Sequence, residues 1–420
     1  MSRRIASILC VLFAYASMVW AVGIAKSNLQ PEWVCGQGTH GGDHVIEGLQ
    51  TRDGGYIAVG ITAKTERSRG DLLVVKTDAK GKLQWKRIIG QPKTQEEGRC
   101  ILEVADGYIL GGALSAKRSS QPGLVKLDQN GKTVWTKSYP AKRYGAIRGI
   151  DLTPDGGIIA TGFTNNQSRE VGFIAEEAKG LLLKTDAAGT LLWKCELPVS
   201  QGAKVHTVGK TGFAICTTIW AETKGTEHQD ACLLKTDAAG KVLWNKTYGH
   251  TGNDQCFDFD PTPDGGFILA GHTTSHSAGW DAWLVRVDKA GTMLWEKTFG
   301  EPIGGDPKWT YDECYCVKVL PDGGFALACG SGIEPTGKRL KPDPRNTWGA
   351  WVLRTDPAGK LLWHYFYHKP KQGHNAAEWL TPCRDGGLLL FLDSDTEGTP
   401  REGNVGMIKL PALPPRLPKK

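Results

Sequence analysis

A tryptophan returns along this chain at Trp85, Trp135, Trp193, Trp244, Trp295 and Trp363, 50 to 68 residues apart, and each copy follows a four-residue signal that begins with Asp and ends with Gly. The signals are Asp78/Gly81, Asp128/Gly131, Asp186/Gly189, Asp237/Gly240, Asp288/Gly291 and Asp356/Gly359. An Asp side chain accepts a hydrogen bond from backbone two residues on, and Gly takes the left-handed angle that ends a type I hairpin turn. Each signal therefore predicts a tight turn between two strands. A second marker precedes every hairpin, at Asp53-Gly54-Gly55, Asp106-Gly107, Asp155-Gly156-Gly157, Gly212, Asp264-Gly265-Gly266, Asp322-Gly323-Gly324 and Asp385-Gly386-Gly387. In the clearest copy, Pro263 to Gly300, the hydrophobic runs Phe267–Ala270, Ala282–Val287 and Thr292–Trp295 lie between such punctuation, the pattern of a small antiparallel sheet.

There are seven openings but only six Trp strands downstream of them. The last unit runs through Leu388–Leu392 and Val405–Leu410 and ends without a Trp, while Leu29-Gln30-Pro31-Glu32-Trp33 resembles the missing strand and stands 52 residues before Trp85. Four-stranded repeats of this length signal a propeller or an open array. A strand lent from one terminus to the other latches a closed ring and gives an open array nothing. The expected fold is all-β, a seven-bladed β-propeller of four-stranded blades closed by an N-terminal strand, as one domain over residues 22–410. A β-sandwich or an eight-bladed ring fits the even spacing of the markers less well. The 54 glycines serve turns, and the 15 tryptophans fill the space between sheets.

The ends read differently. Arg3 and Arg4 precede an apolar run, Ile5 to Trp20, that closes in Val19-Trp20-Ala21, the form of an export signal cleaved after Ala21. Only five residues of apolar run precede Cys10, too few for it to serve as a lipid-anchored cysteine. Residues 411–420 form a Pro-rich basic tail. No later segment has eighteen unbroken apolar residues, so no transmembrane segment is expected. The mature chain is expected to be secreted or periplasmic and monomeric.

Export permits disulfides among Cys35, Cys100, Cys195, Cys216, Cys232, Cys256, Cys314, Cys316, Cys329 and Cys383. Most fall inside strands and read as small core residues. Cys314 and Cys316, one residue apart, are expected on one side of a strand, where they could form a disulfide or a metal pair. With no Cys-x-x-Cys, no metal site is assigned. The net charge of +7 is diffuse. Lysines recur before the hairpin Asp, at Lys76, Lys126, Lys184 and Lys235, and after the Trp, at Lys86, Lys137, Lys194, Lys246 and Lys297, and both sets read as solvated strand faces. A nucleic-acid groove would gather such charges with exposed aromatics, so nucleic acid is not an expected partner.

Length variation is confined. The Asp-Gly-Gly and Asp-x-x-Gly turns stay short and share one face of the ring. The loops 165–179, 301–311, 331–347 and 393–404, with a basic run at Lys338, Arg339, Lys341 and Arg345, belong to the opposite face. A rigid scaffold with variable loops on one side carries its binding residues there. The same face holds His250, His272, His276, His368 and His374, and His40 and His44 flank the entry to the first blade. Trp280/Trp283 and Trp348/Trp351 each bracket the start of a third strand, so one member of each pair should be core and the other free to reach the loops. Asp71, Asp230 and Asp281 stand seven residues before a hairpin Asp in three blades, a repetition that fits strand-end turns. The ligand-binding candidates of the best-preserved blade are His250, His272, Trp280 and Asp281. No catalytic motif of the G-x-S-x-G, H-E-x-x-H or G-x-G-x-x-G type occurs, and no cofactor is named.

The repeat, D-G-G-Y/F-x-x-x-G-x-T followed by D-x-x-x-x-K-x-D-x-x-G-x-x-x-W-x-K-x-Y-G, resembles that of bacterial exported β-propeller repeat proteins over about residues 29–410. More distantly it resembles the repeats of quinoprotein-like propellers. The resemblance implies the fold and little about activity, because the motif records turns and sheet packing. Quinoprotein dehydrogenases of that kind are typically eight-bladed with adjacent cysteines by the cofactor; seven expected blades and no Cys-Cys pair weaken a quinone reading here. The expected function is an exported binding or scaffold propeller that recognises a protein or glycan on its variable-loop face. The alternatives are a propeller enzyme (lyase, hydrolase or quinone-linked dehydrogenase) working in the central funnel, and an envelope structural protein.

Overall fold

The computed structural model describes residues 29–39, 42–63, 70–90, 96–116, 119–167, 174–175, 177–223, 225–300, 310–333, 348–367, 375–394 and 404–412. The export-signal residues 1–21 with Cys10, then His40, His368, His374, Lys338–Arg345, residues 413–420 and parts of all four long loops lie outside them. Among the described residues, twenty-eight strands, β1 to β28 in chain order, form seven antiparallel sheets of four. Six sheets use consecutive strands. The seventh runs β26 (Asn375–Pro382), β27 (Leu388–Ser394), β28 (Asn404–Leu410) and then β1 (Trp33–Gly36), with Trp33 opposite Lys409. The chain is a seven-bladed propeller latched by its first strand.

The recurrent residues explain how blades join. In each hairpin the Asp carboxylate accepts two backbone bonds, as Asp78 does from Lys80 N at 2.8 Å and Lys82 N at 2.9 Å, and the Gly takes a positive φ, +76° at Gly81. That Gly has a second duty. The Trp of one blade lies flat against the hairpin Gly of the next, so that a Cβ on Gly131 would stand 2.8 Å from the ring of Trp85. Trp33 makes the same joint with Gly81 and tilts onto Tyr56 at 5.7 Å, as Trp85 does onto Tyr108 at 6.1 Å. The latch strand thus packs against blade 1 as the other Trp strands pack against theirs.

Two expectations are corrected. Lys76 and Lys126 are buried, and Lys184 nearly so, where solvated strand faces were expected. Lys76 Nζ donates to Asp53 Oδ2 at 2.9 Å and to Thr77 O at 3.0 Å; Lys126 reaches Asp106, Lys184 Asp155, and Arg286, Arg354 and Lys409 reach the matching Asp264, Asp322 and Asp385. The recurring cation clamps the turn between the first two strands of its own blade. Blade 4 has no Asp there, and its Lys235 is only half-buried.

Cys314 and Cys316 do not share a side of their strand. A bulge lies between them, with Cys314 opposite Cys329 and Cys316 opposite Ala328, successive rungs of the ladder. The extra residue flips the alternation. Cys314 enters the core shared with blade 5 and Cys316 the core shared with blade 7. All ten described cysteines are free thiols.

Candidate ligand-binding funnel

That bulge is not unique to blade 6. The innermost strands are β2 (Gly42–Gln50), β6 (Glu97–Val104), β10 (Tyr144–Leu152), β14 (Lys204–Val208), β18 (Asp254–Pro261), β22 (Thr310–Val319) and β26, and each touches the next around the axis. Six of them carry a one-residue register shift at the same place, which leaves Ile46, Arg99, Arg148, Phe257, Tyr315 and Glu378 out of the ladder. A bulged residue is re-aimed, and here every one of the six lines a single axial cavity of about 110 Å³. Blade 4 lacks the shift and contributes Gln201, Ala203 and Lys204. His44, Thr218, Cys256 and Trp379 complete most of the wall. Each first strand enters from the variable face, and His44 precedes Ile46, so the cavity occupies the variable-face half of the axis.

Its floor is held by ion pairs. Lys204 of blade 4 donates to Glu47 of blade 1 and lies 4.3 Å over the Trp379 ring, while Lys318 donates to Asp258 at 2.7 Å and lies 4.0 Å over the same ring. Burial works against charge on both ammonium groups, yet Glu47 beside the first and Asp258 beside the second raise both above the ordinary lysine range. Trp379 is therefore a plug between two cations.

The wall above is asymmetric. Arg99 and Arg148 stand in blades 2 and 3 and share one carboxylate, Glu97, which accepts from Arg99 Nη2 at 2.6 Å and acts on Arg148 by charge. Burial and the like charge of Arg99 pull Arg148 down to about 9. The titratable groups of blades 6, 7 and 1 complete the wall. Burial and the charge of Asp393 push Glu378 up to about 8, so its carboxyl is largely protonated at neutral pH. Tyr315 donates to Glu313, and burial raises its phenol well above the usual range. His44 bonds Asp393, whose other oxygen accepts from Val45 N at 2.8 Å. Burial opposes charge on His44, but Asp393 overrides it and raises the imidazole to about 9 although the side chain is 47% exposed.

A raised histidine stabilises the fold fully below its unfolded value near 6.5, and that contribution is lost as pH rises through about 9. His44→Gln is therefore expected to melt below the wild type at pH 7 and level with it above pH 10. Parallel thermal scans across that range check it; a gap that persists above pH 10 means the ion pair is not the cause.

The candidates named from sequence are placed as follows. His272 lies directly behind the funnel wall, stacked on Phe257 at 4.8 Å and edge-on to Trp280 at 4.7 Å, and burial holds it down to about 3. His272 and Trp280 are thus brought together. His250 instead meets His276 and Glu296, on the outermost strand of blade 5. Asp281 faces the blade connection at Gly300, where a Cβ would stand 2.3 Å from its oxygen, and Asp71 and Asp230 meet Gly90 and Gly249 in the same way. Of the tryptophan pairs, Trp283, Trp351 and Trp348 are buried, and only Trp280 is partly exposed. The wall residues were missed, although a signal existed: in six blades the axial residue stands seven positions before the first residue of the opening Asp-Gly.

No family model matches the chain, and no curated protein does. Solved structures do. The WD40 domain of Neurospora crassa Pan2 aligns over 90% of each chain at 13% identity and TM-score 0.52. Hydrazine synthase of Kuenenia stuttgartiensis aligns over 91% of this chain and 96% of that one, at 12% identity and TM-score 0.51. Puromycin hydrolase aligns over 90% of this chain but 53% of its own, at 15% identity and TM-score 0.52. At such identities the likeness is one of fold, and it joins this chain to β-propellers that include both WD40 domains and enzymes.

Proposed function

We propose that the chain is a binding propeller whose axial funnel takes the carboxylate of a small acidic ligand or of an acidic sugar in a glycan. The observation that carries this reading is the sorting of charge over equivalent positions. Six bulges at the same place in their strands hold Ile, Arg, Arg, Phe, Tyr and Glu, with the two guanidiniums adjacent and sharing one carboxylate, and the protonated carboxyl of Glu378 opposite. Two arginines confined together are relieved by an anion, and their planar forks match a carboxylate. Glu378 adds a neutral hydrogen-bond donor, and Phe257 an apolar wall. A cavity of about 110 Å³ corresponds to about four waters at their liquid volume, room for one acidic group with its attached carbons. The leader and the repeat support export, so a ligand of the envelope or the medium is in keeping with the site.

The test is calorimetric titration with glucuronate and galacturonate against glucose and galactose. The acids are expected to bind and the neutral sugars to bind at least tenfold more weakly, with affinity falling as salt rises. Arg99→Gln and Arg148→Gln should each cost about 10–100-fold. Equal binding of acid and neutral sugar, or arginine variants that bind as the wild type does, overturns the reading.

A second reading rests on Glu378 and His44 alone. A carboxyl near 8 beside a His–Asp pair is equipped to give up a proton near neutral pH, the property of a general acid. Glu378→Gln separates the two: it spares binding in the first reading and abolishes turnover of the bound acid in the second.

A further inference from the structure

Away from the axis, blade 5 carries a cluster that no other described part of the chain repeats. His250, in the connection from blade 4, His276, in the loop after the second strand, and Glu296, on the outermost strand β21 (Met293–Phe299), bring three donor atoms within 4.8 Å of one another. His250 Nε2 is 2.9 Å from Glu296 Oε1, His276 Nε2 is 4.0 Å from Glu296 Oε2, and the two rings meet edge to face at 4.8 Å. We propose that this His–His–Glu cluster is a binding site for a divalent transition metal of the zinc type, with its remaining position open to solvent.

Four features point that way. The donor set is two imidazoles and one carboxylate from three separate elements, which suits zinc and its first-row neighbours and not calcium or magnesium. The carboxylate is oriented from behind: the buried Trp283 donates its Nε1–H to Glu296 Oε2 at 3.0 Å, the kind of support that fixes a ligand before the ion arrives. The two histidine loops are also fastened to each other. His250 N donates to Asp254 Oδ2 at 2.7 Å, which accepts from Ser275 Oγ at 2.8 Å, while Gly252 N donates to Ser275 Oγ at 2.9 Å and Asn253 N to Thr274 Oγ1 at 2.8 Å. A Cβ on Gly252 would stand 2.7 Å from Thr274 Oγ1, so the approach is as close as glycine permits. Finally, the position after the repeat Trp holds Lys86, Thr136, Lys194, Asn245 and His364 in other blades, and an acid only here.

The fit needs little movement. Zinc bonds of about 2.0–2.1 Å set tetrahedral donors about 3.3 Å apart, so closing the cluster takes shifts of about 1 Å. His250 and His276, 42% and 36% exposed, are free to make them. Their exposure also leaves the outer side of the ion to water or to a donor from another molecule. An ion pair of protonated His250 and His276 with Glu296 is the competing explanation, and it would crowd two cationic rings edge to face at 4.8 Å around one carboxylate.

Equilibrium dialysis of the full chain against Zn²⁺ after chelator treatment tests the site. One tightly held equivalent is expected in the wild type, with at least a tenfold loss in His250→Ala, His276→Ala and Glu296→Gln. Co²⁺ in place of Zn²⁺ should give the intense visible bands of a four-coordinate ion, absent in the three variants. Melting of the metal-free variants controls for folding, and Zn²⁺ should raise the melting temperature of the wild type alone. Trp283→Phe, which keeps the carboxylate but removes its support, should weaken Zn²⁺ by about tenfold. Binding only at millimolar Zn²⁺, or His276→Ala binding as the wild type does, overturns the proposal.

Discussion

Removal of the chain through Gly36 is expected to lower the stability of the ring by more than about 3 kcal/mol. The segment is short, but its contacts are not local. Backbone pairing joins Trp33 to Lys409, Val34 to Ile408, Cys35 to Met407 and Gly36 to Gly406, and it is extended at both ends by Glu32 N to Lys409 O at 2.8 Å and Gln37 N to Val405 O at 2.9 Å. Losing it strips β28 of a neighbour and leaves an open sheet edge in blade 7. It also removes the Trp33 ring from between Gly81 and Tyr56, so the joint between blades 7 and 1 loses the wedge that every comparable joint keeps. Trp33→Ala isolates the second effect and should account for about 2 kcal/mol, less than a fully buried Trp because the ring is only partly covered. Guanidinium titrations of the wild type, Trp33→Ala and the truncated chain measure both. A truncated chain that unfolds at the wild-type midpoint would show that the ring closes without its latch.

The second large effect is expected in acid. His272 is buried and neutral, held down to about 3, whereas the same imidazole in the unfolded chain titrates near 6.5. A depressed histidine makes the unfolded state bind the extra proton, so stability falls as pH drops below 6.5 and goes on falling to about 3, by about 1.4 kcal/mol per pH unit. Glu378 acts with the opposite sign. Its carboxyl, raised to about 8, keeps a proton in the folded chain that the unfolded chain releases above about 4.5, so it adds stability as pH falls from 8 to 4.5. The two act against each other between pH 6.5 and 4.5, and below that Glu378 no longer offsets His272. The aspartates of the turn clamps reinforce the loss only further down, Asp155 and Asp264 both lying at about 2.

His272→Phe keeps an aromatic ring against Phe257 and Trp280 and removes the titration. The difference in unfolding free energy between this variant and the wild type should shift in the variant's favour by about 3 kcal/mol between pH 7 and pH 4. Urea midpoints at the two pH values give that number. A difference that does not change with pH would mean that His272 titrates in the folded chain as it does in the unfolded one, and its place behind the funnel wall would need another account.

Much of this molecule is decided by local chemistry, and that part was readable in the sequence. The Asp-x-x-Gly hairpins, the Asp-Gly openings and the Trp strands each depend on a few neighbouring residues whose types the turn or joint dictates. Their count and order were therefore enough to give seven blades, the latch at Trp33 and the two faces of the ring. The Lys76 and Lys126 clamps were written in the same code but mistaken for surface, because a lysine in a strand looks solvated until its partner, Asp53 in the case of Lys76, is seen across the sheet.

The funnel belongs to another class. Its wall takes one bulged residue from each of six blades, far apart in sequence, and most of them differ in type from one blade to the next. A repeat search discards such positions as noise. The bulge hides them further, since one added residue reverses which side chains face the axis, which is also why Cys314 and Cys316 parted. The chain alone determined what is repeated, because turns and joints are short-range. Only the closed ring decided what is not repeated: it sets Arg99 beside Arg148 across from Glu378, and His250 beside His276 and Glu296, by bringing together strands and loops that no local rule connects.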